Sequence, residues 1–435
     1  MMRRGAVLLC LLWVGAISYA DEPNSAANSY STFLDSLQAK SDSALDRSGV
    51  EPTWPAADSL ADLFVVHGPA YVDSIPAAKR HRRLDLDFNP ALNTYNRVEG
   101  ARIGGELEIS VGPLSLAGAA GYAISSEEWR HRERVRLETE RRGTFTVEHA
   151  DLLERFGAGP VPANSIHAFV AGADDQDYLV RRRTGAEWRL GDDTRSFSAA
   201  YTVADERSAA AETDWNLFSR DRGPRPNPAI EEGRARRLSF TGSRKFQPRA
   251  LRGARLRLAA EAEVAGYGLG GDFDYDRYRL SLDSRWPVLW RDNIDLRAEV
   301  GGARNVPPIQ SLFYLGGPAA LRAYGVNELA GDRYAFFGFD YLVGTDPFAH
   351  LHLPQVQIQF IPFFELGAAW RDENGRGIWS SPDSHDWRSD AGLGLQRIVL
   401  FETTLRLDLA WRLDRGSDRF VYRFGFRTPL FGLED

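Results

Sequence analysis

Between Tyr95 and Phe431, apolar and polar residues alternate in runs of about ten, each closed by Gly, Pro, Asn or Asp. Leu256, Leu258, Ala260, Ala262 and Val264 fall on one face of an extended segment, and Arg255, Arg257, Glu261 and Glu263 on the other. The same split recurs with Tyr278, Leu280, Leu282 and Trp286 against Arg277, Arg279, Asp283 and Arg285. Ile294, Leu296, Ala298 and Val300 likewise oppose Asp295, Arg297 and Glu299, and Leu405, Leu407, Leu409 and Trp411 oppose Arg406, Asp408 and Arg412. Successive side chains of a strand point to opposite faces, so the pattern predicts strands with one greasy and one charged wall.

Alternation alone leaves two architectures open, because a soluble sheet also has an apolar face. Three features favour a membrane barrel. The pattern persists over most of the chain, aromatic residues gather at strand ends (Trp286, Trp290, Trp370, Trp387, Trp411), and every connection is polar. Closure removes the edges that so long an antiparallel sheet would otherwise expose. The expected fold is all-β, a transmembrane antiparallel barrel of about sixteen strands. The first strand is read at 98–111, the fifth at 164–172 and the last at 419–428. An even count leaves both termini on the periplasmic side and the long connections 206–233 and 304–332 on the other.

Residues 1–20 have a basic start (Arg3, Arg4), a short apolar run and a small-residue exit at Ser18-Tyr19-Ala20, which reads as a removable secretory signal peptide. Its loss takes away Cys10, the one cysteine, and changes the formal net charge from −7 to −9, with 51 basic residues left against 60 acids. That balance argues against a nucleic-acid partner. Residues 21–93 are rich in Pro, Ser, Ala and Asp and read as a periplasmic extension, disordered or lightly helical at 30–46 and 56–66. The barrel is expected over 94–435.

One stretch is too Gly-rich and polar for a core element. Phe313-Tyr314-Leu315-Gly316-Gly317 leads to Leu321-Arg322-Ala323-Tyr324 and Asn327-Glu328-Leu329-Ala330-Gly331-Asp332-Arg333. Asp340-Tyr341, Phe364-Glu365-Leu366-Gly367 and Ala391-Gly392-Leu393-Gly394-Leu395 follow. A lone Arg among Leu and aromatic residues wants a fixed carboxylate, and Glu365 can supply one from the inner wall.

These residues, in this order, resemble the BamA/TamA superfamily of bacterial outer-membrane assembly and two-partner-secretion barrels. Asn96-Arg97-Val98-Glu99-Gly100 resembles the opening of the first barrel strand in some members. The resemblance implies that the loop around Gly316, Gly317, Leu321, Arg322 and Tyr324 folds into the lumen. It implies that Arg322 docks on Glu365, with Asp340 as a second acceptor, and that Phe364 and Gly367 mark the receiving strand. Gly316 and Gly317 would let the loop turn, and Tyr324 would pack it to the wall. The family's usual Gly after the Arg is Ala323 here, its usual Asp is Glu365, and Asp21 to Asn93 has no room for a convincing periplasmic POTRA domain. Alternate aromatics at Phe424, Phe426 and Phe431 resemble the C-terminal signal read by the barrel assembly machinery. Gly425 and Pro429 are expected to weaken the seam with the first strand.

Enzyme chemistry has little support. There is no Gly-x-Ser-x-Gly elbow, and the eight histidines are scattered. His350 and His352 flank a turn without a third ligand, so no metal or other cofactor is expected. Asp272, Asp274 and Asp276 lack the Gly and distal Glu of a calcium loop. Arg130, Arg132, Arg134 and Arg136 form a stripe expected to line the lumen. The expected role is assisting insertion or passage of polypeptide or lipid through a gated lumen and a weak lateral seam in the outer membrane of a Gram-negative bacterium. Outer-membrane lipids, client polypeptides and the assembly machinery are the expected partners. The alternatives are a passive diffusion channel and an outer-membrane lipid-modifying enzyme.

Overall fold

A computed structural model of the protein describes residues 84–427, apart from 91, 140–142, 162–163, 193, 219–224, 249–250, 252, 289–291, 345–357, 373–379, 400–402 and 415–419. The signal peptide, the helices expected at 30–46 and 56–66, His350, His352 and Phe431 lie outside the described residues. Phe424 and Phe426 are described only as backbone positions of the last strand.

The strands are Leu84–Pro90 (β1), Thr94–Asn96 (β2), Gly100–Val111 (β3), Leu114–Ala123 (β4), Glu128–Thr139 (β5), Gly143–Phe156 (β6), Asp177–Gly191 (β7), Arg195–Ser208 (β8), Gly233–Phe246 (β9) and Arg255–Ala265 (β10). Tyr275–Pro287 (β11), Asn293–Arg304 (β12), Phe313–Leu315 (β13), Leu329–Gly331 (β14), Arg333–Leu342 (β15), Ile358–Trp370 (β16), Arg388–Val399 (β17), Thr403–Arg412 (β18) and Phe420–Arg427 (β19) follow. Among the described residues one α-helix, α1, spans Asn164–Ala171.

Seventeen of the segments form one sheet, and β13 and β14 form a separate hairpin. Every ladder is antiparallel and joins sequential neighbours, from β3–β4 through β11–β12 and β12–β15 to β18–β19. β1 and β2 lie end to end on β3, with Leu84 opposite Val111 and Asn96 opposite Gly100. They act as one interrupted strand, so the sheet has sixteen members.

The expected count is right through two errors that cancel. The sheet begins at Leu84 rather than after residue 93, and the segment expected as the fifth strand, 164–172, is the helix α1 with its connections. Strands between 98 and 150 therefore run opposite to the expected sense, whereas everything after Asp177 runs as expected. Asn96-Arg97-Val98-Glu99 accordingly ends the first strand and turns into the second, and does not open the first.

The sheet is inverted relative to a soluble protein. Ile103, Leu107, Val111, Leu116, Trp129, Val135, Leu137, Phe145 and Val147 are exposed, while Arg102, Arg130, Asp151, Glu206, Arg237, Glu365, Asp390 and Asp408 are buried. In water this arrangement would expose apolar area and desolvate charge at once. Hydrocarbon outside a polar lumen makes both favourable. The charged wall is satisfied by cross-strand pairs such as Arg132–Glu106 at 2.8 Å, Arg183–Glu148 at 2.8 Å and Arg285–Asp295 at 2.6 Å. Arg130, Arg132 and Arg134 of the expected stripe pair with acids on this face.

The segment after β12 shows how the sheet curls. Asn327 reaches Asp177 at the start of β7, while Arg423 of β19 reaches the carbonyl of Arg322. These strands lie far apart in the sheet order, so the sheet wraps around the segment as a barrel wall around its lumen.

Candidate functional site in the barrel lumen

The long connection enters the barrel as the β13–β14 hairpin, which pairs Phe313 with Gly331 and Leu315 with Leu329. Gly316 and Gly317 then take φ of 109° and 104°, and a Cβ at Gly316 would lie 2.1 Å from the Gly325 carbonyl oxygen. Only glycine fits there. Between these points the chain makes a tight knot: the Gly316 N–H donates to the Ala320 carbonyl, that of Gly317 to the Tyr324 carbonyl, and that of Tyr324 to the Leu321 carbonyl. Leu321, fully buried at φ 57°, provides the turn's left-handed residue. Ala323 does not take positive φ, so alanine meets no backbone penalty there.

The underside of the knot is apolar. Phe313, Leu315, Ala320, Leu321, Ala323, Tyr324, Tyr334, Phe336, Phe363 and Ala410 form one buried cluster. A Cβ at Gly367 would sit 3.0 Å from Leu315 and 3.3 Å from Leu321, so this glycine lets the loop lie close to β16.

The tip is held by ionisable side chains from five consecutive strands. Asp340 of β15 accepts from Arg322 Nη2 with both oxygens, at 3.0 and 2.9 Å. Glu365 of β16 accepts the Arg322 backbone N–H at 2.8 Å and lies 3.4 Å from its Nε. Asp390 of β17 accepts the Ala323 N–H at 2.6 Å. Arg412 of β18 donates to the Ala323 carbonyl at 3.1 Å, and Arg423 of β19 donates to the carbonyls of Arg322, at 2.7 Å, and Tyr324. Phe363 lies under the Arg322 guanidinium at 4.2 Å, and Tyr324 under that of Arg412 at 4.2 Å. Burial alone would lower the Arg322 pKa, but Asp340, Glu365 and Asp408 outweigh it and raise it, so the guanidinium stays charged.

The structure thus brings together Gly316, Gly317, Leu321, Arg322, Tyr324, Asp340, Glu365 and Gly367. One emphasis changes: Asp340 is the nearer guanidinium partner, whereas Glu365 chiefly holds backbone. Phe364 lies on the receiving strand β16 and is exposed on its outer face. Sequence reasoning missed Asp390, Arg412 and Arg423, although sheet register joins the first two to the site. Glu365 pairs with Asp390, and Asp390 with Arg412, so all three point inward at one level.

Residues 241–429 match the Omp85 superfamily domain. That C-terminal stretch is an Omp85 superfamily domain. The match covers the loop tip and the strands from β10 to β19. Among solved structures the fold is similar to BamA from Haemophilus ducreyi lacking POTRA domains 1–3, at 13% identity and a TM-score of 0.52, over 80% of this chain and 70% of that one. Weaker likenesses are to CdiB from Acinetobacter baumannii, at 13% identity and TM-score 0.42 over 79% and 65% of the two chains. CdiB from Escherichia coli follows at 12% identity and TM-score 0.45, over 80% and 67%. Compared by sequence, no curated protein matches the chain.

A second charged cluster closes the other side of the barrel, at the end where the long loops lie. Glu99, fully buried in the turn after β2, lies 2.9 Å from Arg102 and 2.5 Å from Arg130, and Arg130 also meets Asp151 at 3.3 Å. Arg97 in the same turn pairs with Asp174 at 3.2 Å and Asp177 at 3.3 Å. The Glu212 and Thr213 N–H groups donate to its carbonyl. Asn327 joins the two clusters, donating to Asp177 at 2.7 Å and accepting from the Ala158 N–H at 2.7 Å.

Proposed function

We propose that this barrel assists the insertion or passage of polypeptide or lipid at the outer membrane, and that the lumen loop is the element that closes and opens the route. The arrangement of the tip carries the reading. Residues 322–324 are held through two backbone N–H groups and three carbonyls, by side chains that belong to the wall. Charge-assisted bonds to a preformed wall fix one position of the loop, and losing them frees a segment rather than a strand.

No catalytic residue enters the mechanism. In this reading residues 1–20 are an export signal removed on secretion, and the residues up to Leu84 form a periplasmic extension. The loop end faces outward, and the seam between β19 and the first strand, weakened at Gly425, is the lateral route. Outer-membrane lipid surrounds the wall, client polypeptides and the barrel assembly machinery are its partners, and the lumen holds no cofactor.

Planar-bilayer recording of the purified barrel tests this. The wild type should be mostly closed, and Arg322→Ala should raise the open fraction at least tenfold. A wild type with steady open conductance that Arg322→Ala does not change would make the protein a passive diffusion channel instead.

A further inference from the structure

The outward face of β5 and β6 carries a polar group where lipid-facing apolar residues are the rule. Trp129, Val135 and Leu137 share that face of β5 with His131 and Glu133, and are exposed at 66%, 44% and 41%. Across the ladder Glu133 stands opposite His149, just as Val135 stands opposite Val147 and Leu137 opposite Phe145. The three side chains therefore converge within the apolar band, below the aromatic pair Tyr122–Trp129, whose rings are 5.2 Å apart. Ionisable groups at such a depth are costly and call for a partner that offsets their charge.

We propose that His131, Glu133 and His149 bind a divalent transition-metal ion, Zn2+ being the best match. One ligand atom from each lies within 4.8 Å of the others. Tetrahedral zinc needs about 3.4 Å between ligand atoms, a change that side-chain rotation supplies. The spacing follows from strand geometry, since residues two apart share a face and the third ligand sits directly across the ladder. His149 is already oriented: its Nδ1 lies 2.8 Å from Thr184 Oγ1 of β7, which leaves Nε2 to face the ion. Two imidazoles and one carboxylate are a borderline donor set suited to zinc, and three protein ligands leave the fourth position open. An ion here would neutralise Glu133 on a wall otherwise bathed in hydrocarbon. The histidines look scattered in the sequence, 18 positions apart, because only the β5–β6 register brings them together.

The test uses the full barrel in lipid nanodiscs, stripped with chelator, with Zn2+ as titrant and Co2+ as a spectroscopic probe. The wild type should bind one equivalent and give the visible Co2+ bands of a four-coordinate site. His131→Ala and His149→Ala should each weaken binding by about 10- to 100-fold, and Thr184→Val by less, with gel mobility of the folded barrel unchanged. His385→Ala, which removes a histidine from the exposed Asp383–Asp386 loop, should leave binding as it was. Binding that is lost with His385 and kept without His131 and His149, or a wild type that takes up no ion, would overturn the assignment.

Discussion

The tip at Arg322 and the turn at Glu99 are both knots of arginine and acid sealed from solvent, but they are fastened differently. At Glu99 the partners Arg102, Arg130 and Asp151 come from the adjoining strands β3, β5 and β6, and side chain meets side chain. That cluster is part of the frame. At Arg322 the wall grips the backbone of a visiting segment with one ionisable residue from each of β16 to β19, and Asp340 of β15 holds its guanidinium. A frame contact can break only as the strands part, whereas a visiting segment can leave while the strands stay paired. The barrel therefore combines a rigid N-terminal side with a C-terminal side whose lumen contents are separable from it.

Substitutions should divide along that line. Glu99→Ala leaves Arg102 and Arg130 buried without their shared carboxylate and should cost about 3–5 kcal/mol in the urea unfolding of the barrel in micelles, with conductance unchanged. If Glu99→Ala opened the pore, the rim would be part of the gate and the contrast would fail. Asp390→Ala leaves the buried Ala323 N–H without its acceptor and should cost about 1–3 kcal/mol. Its signature is rapid proteolysis within 305–332 while the strands remain intact. Asn327→Ala, which cuts the tie between the two sides, should cost about 1 kcal/mol and shorten closed times in single-channel records without opening the pore fully. Ala323→Gly should be the mildest, at about 0.5 kcal/mol, because the position needs no positive φ and gains only chain entropy to lose. A stabilising Ala323→Gly would show that the alanine strains the tip.

Much of this was readable from residue order, for identifiable reasons. Alternation reports burial on one face, and it located β7 to β12 and β15 to β19 because each is a long half-exposed strand. The same two-residue period runs through Leu84, Leu86 and Phe88 against Asp85 and Asp87, but Pro90 and Asn93 interrupt it and hide the first strand among extension residues. Helix α1 was misread because Ile166, Ala168 and Val170 alternate with its other residues, and eight residues are too few for a helical period to stand out. The Arg322 tip was legible as a motif of special residues, Gly316 and Gly317 needing positive φ and the arginine needing acid. Asp390, Arg412 and Arg423 were not, because on the charged wall they look like every other inward residue, and only register assigns them to the tip.

The central claim is that the loop tip is pinned to the inner wall by those five strands. Spin labels at Gly325, on the exposed side of the tip, and at Leu413, exposed just past β18, measure this directly in nanodiscs. A single narrow, short distance is expected in the wild type, broadening and lengthening in the Glu365→Ala/Asp390→Ala double variant. A broad distribution already present in the wild type and unaltered in the double variant would contradict the claim.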